Sequence, residues 1–172
     1  MDQPLKPQPL MRHVLPGLFL IILLIGSYYF TDPDHFLEQL QKIQSLAAKI
    51  IAVLSVTAFF AAWIIGNILD VIRNIIDEIT HRIFKEQWWE FLFTANKEGV
   101  ERLDEYYYNY YVLDANFAIS ILITLVVSTF LCRFSRYEWF LLILFILIAA
   151  DAILLRIEIN NVVKEHGEKY KK

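Results

Sequence analysis

Four apolar stretches dominate the chain: Val14–Phe30, Leu46–Leu69, Ala115–Leu131 and Trp139–Leu155. Each is about long enough to cross the roughly 30 Å hydrocarbon core of a bilayer as a helix. Only the first lies near the N-terminus, so a cleaved targeting segment does not account for the set. In that stretch Tyr28-Tyr29-Phe30 stands where a cleavage site needs small residues, and paired tyrosines suit the aromatic belt of a retained span. The pattern predicts an all-α integral membrane protein of four transmembrane helices, forming one membrane domain over residues 1–172.

The polar positions between the stretches predict how the helices continue. Asp32-Pro33 is a helix start, with Asp32 as N-cap and Pro33 in the first turn. Pro16 and Gly17 fall in the first turns of span one, where proline costs least. Beyond the second apolar stretch, Ile68, Ile72, Ile75 or Ile76, Ile79 and Ile83 recur at three- and four-residue steps. Asp70, Arg73, Asn74, Asp77, Glu78, His81 and Arg82 fill the other face. No proline follows Asp34, so Leu46 to about Phe84 reads as one helix, roughly 58 Å long. Its amphipathic part belongs to a cytoplasmic helical region over about 70–114. The competing reading is a break at Gly66-Asn67. Ser135-Arg136-Tyr137-Glu138 fits a capping box and makes spans three and four antiparallel neighbours. Ala58, Ala62 and Gly66 form a small-residue seam for close helix packing.

Charge sets the orientation. The N-terminal segment, the central block and the tail carry most of the 16 lysines and arginines, so both termini are predicted inside. A composition 57% hydrophobic and a net charge of −3 argue against a nucleic-acid binder. The single cysteine, Cys132, excludes an intrachain disulfide. The histidines at 13, 35, 81 and 166 are scattered, and no G-x-S-x-G, P-loop or metal spacing occurs. The sequence therefore predicts no enzyme, no metal and no cofactor.

Candidate chemistry lies in the last two spans. Asp151 sits among Leu147, Ile148, Ala149, Ala150, Ile153 and Leu154, about 18 Å deep by helical rise. A carboxylate on lipid there costs several kcal/mol, so it is expected to face the interior, an aqueous path or a neighbouring subunit. Asn116, Ser120, Thr124 and Ser128 recur every four residues on span three, with Ser120 level with Asp151 and Asn116 level with Arg156. Together with Asn67 and Arg156 these are the pore or gate candidates. The same hydroxyl stripe equally fits helix–helix hydrogen bonds, and Asn67 and Asp70 equally fit a solvated interface. Trp88, Trp89, Tyr107, Tyr108 and Tyr111 are candidates for a cytosolic partner or a nucleotide-type signal molecule. An interfacial aromatic belt explains them as well.

In overall shape the chain resembles the small multi-span membrane effectors of bacterial anti-phage defence, such as the membrane subunits of the Hailong and Kiwa systems. The likeness covers the whole chain as architecture and matches no motif. It implies a channel of the bacterial inner membrane, held closed until infection and then depolarising the membrane, in line with a homo-oligomer gated from the cytoplasm, its span-three stripe and Asp151 turned toward a shared axis. The alternatives are a non-conducting scaffold docking a soluble partner through 68–93 and a small proton-coupled transporter.

Overall fold

A computed structural model describes residues 9–44, 48–88, 91, 95, 97–103, 108–130 and 136–166. The long elements are α1 (Pro9–Thr31), α2 (Pro33–Gln44), α3 (Ala48–Phe84), α5 (Asn109–Phe130) and α6 (Arg136–His166), with the short α4 (Lys97–Leu103) between α3 and α5. The helices α1, α3, α5 and α6 are each long and apolar enough to cross a membrane, which makes the chain a multi-pass membrane protein.

The second predicted helix is confirmed as a single element. α3 runs unbroken through Gly66-Asn67 for 37 residues, about 55 Å by helical rise. It stops at Lys85, which adopts φ 50° and whose N–H donates to the His81 carbonyl at 2.7 Å. This is the left-handed cap that usually falls to glycine. Asp32 caps α2 as expected, accepting the His35 N–H at 3.2 Å. Pro16 lies deeper than the sequence suggests. α1 begins at Pro9, so Pro16 is interior and fully buried, and its missing N–H breaks one helical hydrogen bond. The Ser135 capping box and Cys132 lie outside the described residues.

The bundle is built around α1, which packs on both α3 and α5, while α5 pairs with α6. α1 and α3 cross with their backbones in contact. A Cβ on Gly17 would collide with the Ala62 carbonyl, and one on Gly66 with the His13 carbonyl. The predicted small-residue seam is thus real at Ala62 and Gly66, but Ala58 is exposed. At one end of the bundle Ser27, Ser128 and Glu138 are buried together, and Tyr137 donates to the Leu23 carbonyl at 3.1 Å. At the other end, Trp88, Phe91, Tyr111, Val112, Ala152 and Ile159 form an apolar core.

Two surfaces depart from expectation. The helix face that carries Asp70, Arg73 and Asp77, expected as the polar face of an amphipathic helix, is turned into the chain and buried, with Asp77 fully so. The isoleucine face is the exposed one: Ile75, Ile79 and Ile83 are 53%, 52% and 65% accessible. A second surprise is the first part of α3. Residues 51–60 are exposed on every side of the helix.

Candidate functional site

Spacing on α3 builds the main polar cluster. Asp70, Arg73 and Asp77 follow one another at three- and four-residue steps, so they share a face, and α1, α5 and α6 close over it. Asp70 pairs with His13 Nδ1 at 2.7 Å, with Arg73 Nη1 at 3.2 Å and with Asn116 Nδ2 at 2.7 Å. Arg73 reaches Asp77 at 3.6 Å and donates to Asn74 at 2.7 Å. One helical turn along, Arg156 of α6 spends its guanidinium on four residues. Nε donates to both Glu86 carboxyl oxygens at 2.9 and 3.0 Å, and Nη2 to Glu86 Oε2 at 2.6 Å and to the Thr80 hydroxyl. Nη1 donates to Asp77 at 3.0 Å and lies 3.4 Å from the Tyr111 oxygen. Tyr111 in turn donates its hydroxyl to Asp77.

Trp88 completes this cluster. Its indole N–H donates to Glu86 at 2.9 Å, and its ring lies under the Arg156 guanidinium at 5.4 Å, within cation–π range. The backbone helps as well: His81 Nδ1 donates to the Glu86 carbonyl at 2.8 Å, and Asn160 accepts the Gln87 N–H at 3.0 Å. Arg156 therefore holds the chain just past the α3 cap against α6. Charge-assisted, multidentate bonds of this kind are the strong ones in proteins.

The hydroxyl stripe does not face outward. Asn116, Ser120, Thr124 and Ser128 are all buried within the single chain. Ser120 and Thr124 donate to the carbonyls one turn back, at 2.8 and 2.9 Å, and Ser128 meets Ser27 of α1 at 2.6 Å. Asp151, by contrast, is exposed. The expectation that the stripe and Asp151 turn together toward one axis is therefore corrected. The stripe is small and polar enough for α1 to seat on it, which takes it out of any outer surface. Ser120 is not the partner of Asp151 either. The ionisable group beside Asp151 is the Asp114 carboxyl of α5.

Asn67 stands apart from the Asp70 cluster. It shows no bond to that cluster and donates one amide N–H to the Trp63 carbonyl at 2.7 Å. The aromatic candidates are also placed differently from expectation. Trp88 and Tyr111 are buried, packed edge to face at 5.8 Å, and Tyr108 leans on both. Their ring faces are used inside the fold and form no open stacking platform. Trp89 and Tyr107 lie outside the described residues.

An apolar groove opens on the outer surface between α3, α5 and α6. Ala115, Ala118 and Leu122 wall one side, Phe145 and Ala149 the other, and Arg73, Asp77 and Arg156 border it. Among the described residues no group of three His, Cys, Asp or Glu side chains is placed to share a metal ion. Residue reasoning missed His13, Glu86, Ser27, Glu138 and Asp114. The signal for Glu138 was present, since an acid at the edge of an apolar helix calls for burial partners. Glu86 carried none, because its position follows from the Lys85 cap. The chain matches no family model, no curated protein and no solved structure.

Proposed function

We propose that this protein is a homo-oligomeric ion channel of the cell membrane, gated from the cytoplasmic side, which is the Arg156 end of the bundle. One observation carries the reading: Asp151 is exposed on the single chain, beside Asp114, about 20 Å along α6 from Glu138. A carboxyl at that depth is costly against lipid and marks a path for ions or a contact with protein. Copies gathered around an axis, with the α5–α6 face turned to their neighbours, would cover it and line the contact with negative charge. That charge favours cations. The depolarising role implied by the likeness to anti-phage effectors is the biological setting proposed for such a channel.

The test is current. Purified protein in planar bilayers is expected to conduct, and Asp151→Asn to change conductance or cation preference while the protein still assembles. On overexpression the wild-type chain should lower the membrane potential and the variant less so. A wild-type protein that passes no current in any lipid or at any voltage sinks the proposal.

A second reading has its own support. Ile75, Ile79, Ile83 and Phe84 present an exposed apolar edge on the far part of α3. A scaffold docking a soluble partner through 68–93 would use it, with Trp88 excluded because it is buried. Co-purification of a partner that is lost on Ile79→Glu, from a protein silent in bilayers, would favour this reading.

A further inference from the structure

Three polar groups that are not buried lie at one depth on two different faces of the chain. Ser27, Ser128 and Glu138 mark a common layer, because they touch one another. Asp114 lies about 21 Å from that layer along α5, and Asp151 about 20 Å along α6. Gly66 abuts His13 of α1, itself about 21 Å from Ser27, so the adjoining Asn67 stands at the same level.

The faces belong to different helices. On α3, Arg73 and Asp77 point toward the groove with α5 and α6, while Asp114 and Asp151 lie on α5 and α6 outside its lining. At about 100° per residue, Ile64, Ile68 and Val71 point away from that groove and Asn67 to its side, and the four line a second shallow groove. Asn67 uses one amide N–H on Trp63, and its second N–H and its oxygen have no partner among the described residues. Asp151 is the matching acceptor.

We infer that the α3 face of one copy, through Ile64, Asn67, Ile68 and Val71, packs on the Asp114–Asp151 face of a second copy, with the Asn67 amide hydrogen-bonded to the Asp151 carboxyl. The inference rests on the homo-oligomer proposed above and adds which surfaces meet. Acyl chains would cover the apolar side chains but offer no partner to the second Asn67 N–H or to the exposed Asp151 carboxyl. A second copy pairs both at once. Because the two faces differ, the contact is head-to-tail, and copies repeating it form a ring where the angle between the faces closes. α3 and α6 run the same way through the bundle, since α1 is antiparallel to α3 and its Ser27 meets the start of α6. The neighbouring helices are therefore parallel. With Asn67 opposite Asp151, Ile64 falls opposite Leu147 and Val71 opposite Leu154, all four exposed.

The register is testable in membranes with a Cys132→Ala background that keeps Asn67 and Asp151. Chains carrying Ile64→Cys with Leu147→Cys, or Val71→Cys with Leu154→Cys, should give a crosslinked ladder under a short bifunctional maleimide. The offset pair Ile64→Cys with Leu154→Cys, displaced by about 10 Å along the helices, should not. Each single cysteine should give no dimer. Adding Asn67→Leu or Asp151→Leu should abolish the ladder, while intrachain crosslinks between α1 and α3 report that the fold is intact. Dimers from a single-cysteine chain mean a two-fold contact and overturn the inference, as does a ladder that ignores register. Capture of a different protein at Val71→Cys in place of a second copy overturns it too. Current without a ladder refutes this interface alone. A ladder without current refutes the channel and leaves the interface standing.

Discussion

Removing the Arg156 side chain should be the most damaging single change at the α3–α6 contact. Arg156→Ala deletes the donors to Glu86, Asp77 and Thr80 together with the cation over Trp88. It leaves Asp77, which is fully buried, with Arg73 at 3.6 Å and the Tyr111 hydroxyl as its only partners among the described residues. Breaking a buried pair by removing one member costs about 3–5 kcal/mol, most of it from the charge left behind. For a chain of this size that corresponds to a fall in melting temperature of roughly 6–20 °C. The assay is thermal unfolding of purified protein in one fixed detergent or nanodisc, followed by tryptophan fluorescence. The mechanism makes a sharper demand than the size of the fall. If an orphaned Asp77 is the cause, Asp77→Asn should offset part of the loss, so Arg156→Ala with Asp77→Asn should be less destabilised than the sum of the singles, by about 0.5–3 kcal/mol. Arg156→Lys keeps the charge but cannot span four acceptors, and should fall between wild type and Ala. Strict additivity, or an Arg156→Ala loss under about 0.5 kcal/mol, would refute the reasoning, because that is the range of an uninvolved surface site.

Two further changes probe the helix crossing and the cap. Gly66→Ala places a methyl against the His13 carbonyl, where backbone cannot yield cheaply, so it should cost about 1–3 kcal/mol. Ala58→Leu, two turns away on an exposed position, should stay within about 0.5 kcal/mol in the same melt. Lys85 holds a left-handed conformation that costs a residue with a Cβ about 1–2 kcal/mol. Lys85→Gly should therefore melt at or above wild type, and Lys85→Ile below it. A marked loss on Lys85→Gly would show that the lysine side chain, not the backbone, secures the cap.

The spans were legible because bilayer thickness and helical rise convert apolar length directly into architecture. α3 was legible through Gly66-Asn67 because nothing in that stretch stops a helix. What periodicity could not assign was which face of α3 turns inward. In water the isoleucine face would be the buried one. In a bundle whose outside is hydrocarbon, isoleucine costs nothing outside, and the face with Asp70, Arg73 and Asp77 gains most from burial against His13, Asn116, Tyr111 and Arg156. The same inversion misassigned the stripe on α5. Its hydroxyls read as an outer face because they are polar, yet Ser120 and Thr124 satisfy themselves on their own backbone and leave a slim surface for α1. Asp114 went unnoticed because its importance comes from lying against Asp151, a relation between two helices that no local pattern carries.

The lengths of the four spanning helices bear on how the proposed gating would be transmitted. α1 and α5, at 23 and 22 residues, are about 33–35 Å long and match a bilayer with modest tilt. α3 and α6, at 37 and 31 residues, are about 46–56 Å long and must overrun it. Beyond Asp77 on α3 and Arg156 on α6, both helices continue past the level at which α1 and α5 begin their crossing. The Arg156 contacts with Asp77, Thr80 and Glu86 sit at the root of this overhang. Asp151 lies a little over one turn from Arg156 on the same rigid helix. A displacement of the α3 overhang thus has two outcomes: it carries α6, and Asp151 with it, or it breaks a buried multidentate contact at a cost of several kcal/mol. Either outcome would link the exposed apolar edge of α3, the face proposed for a partner, to Asp114 and Asp151. The shortest physical route between the two runs through Arg156.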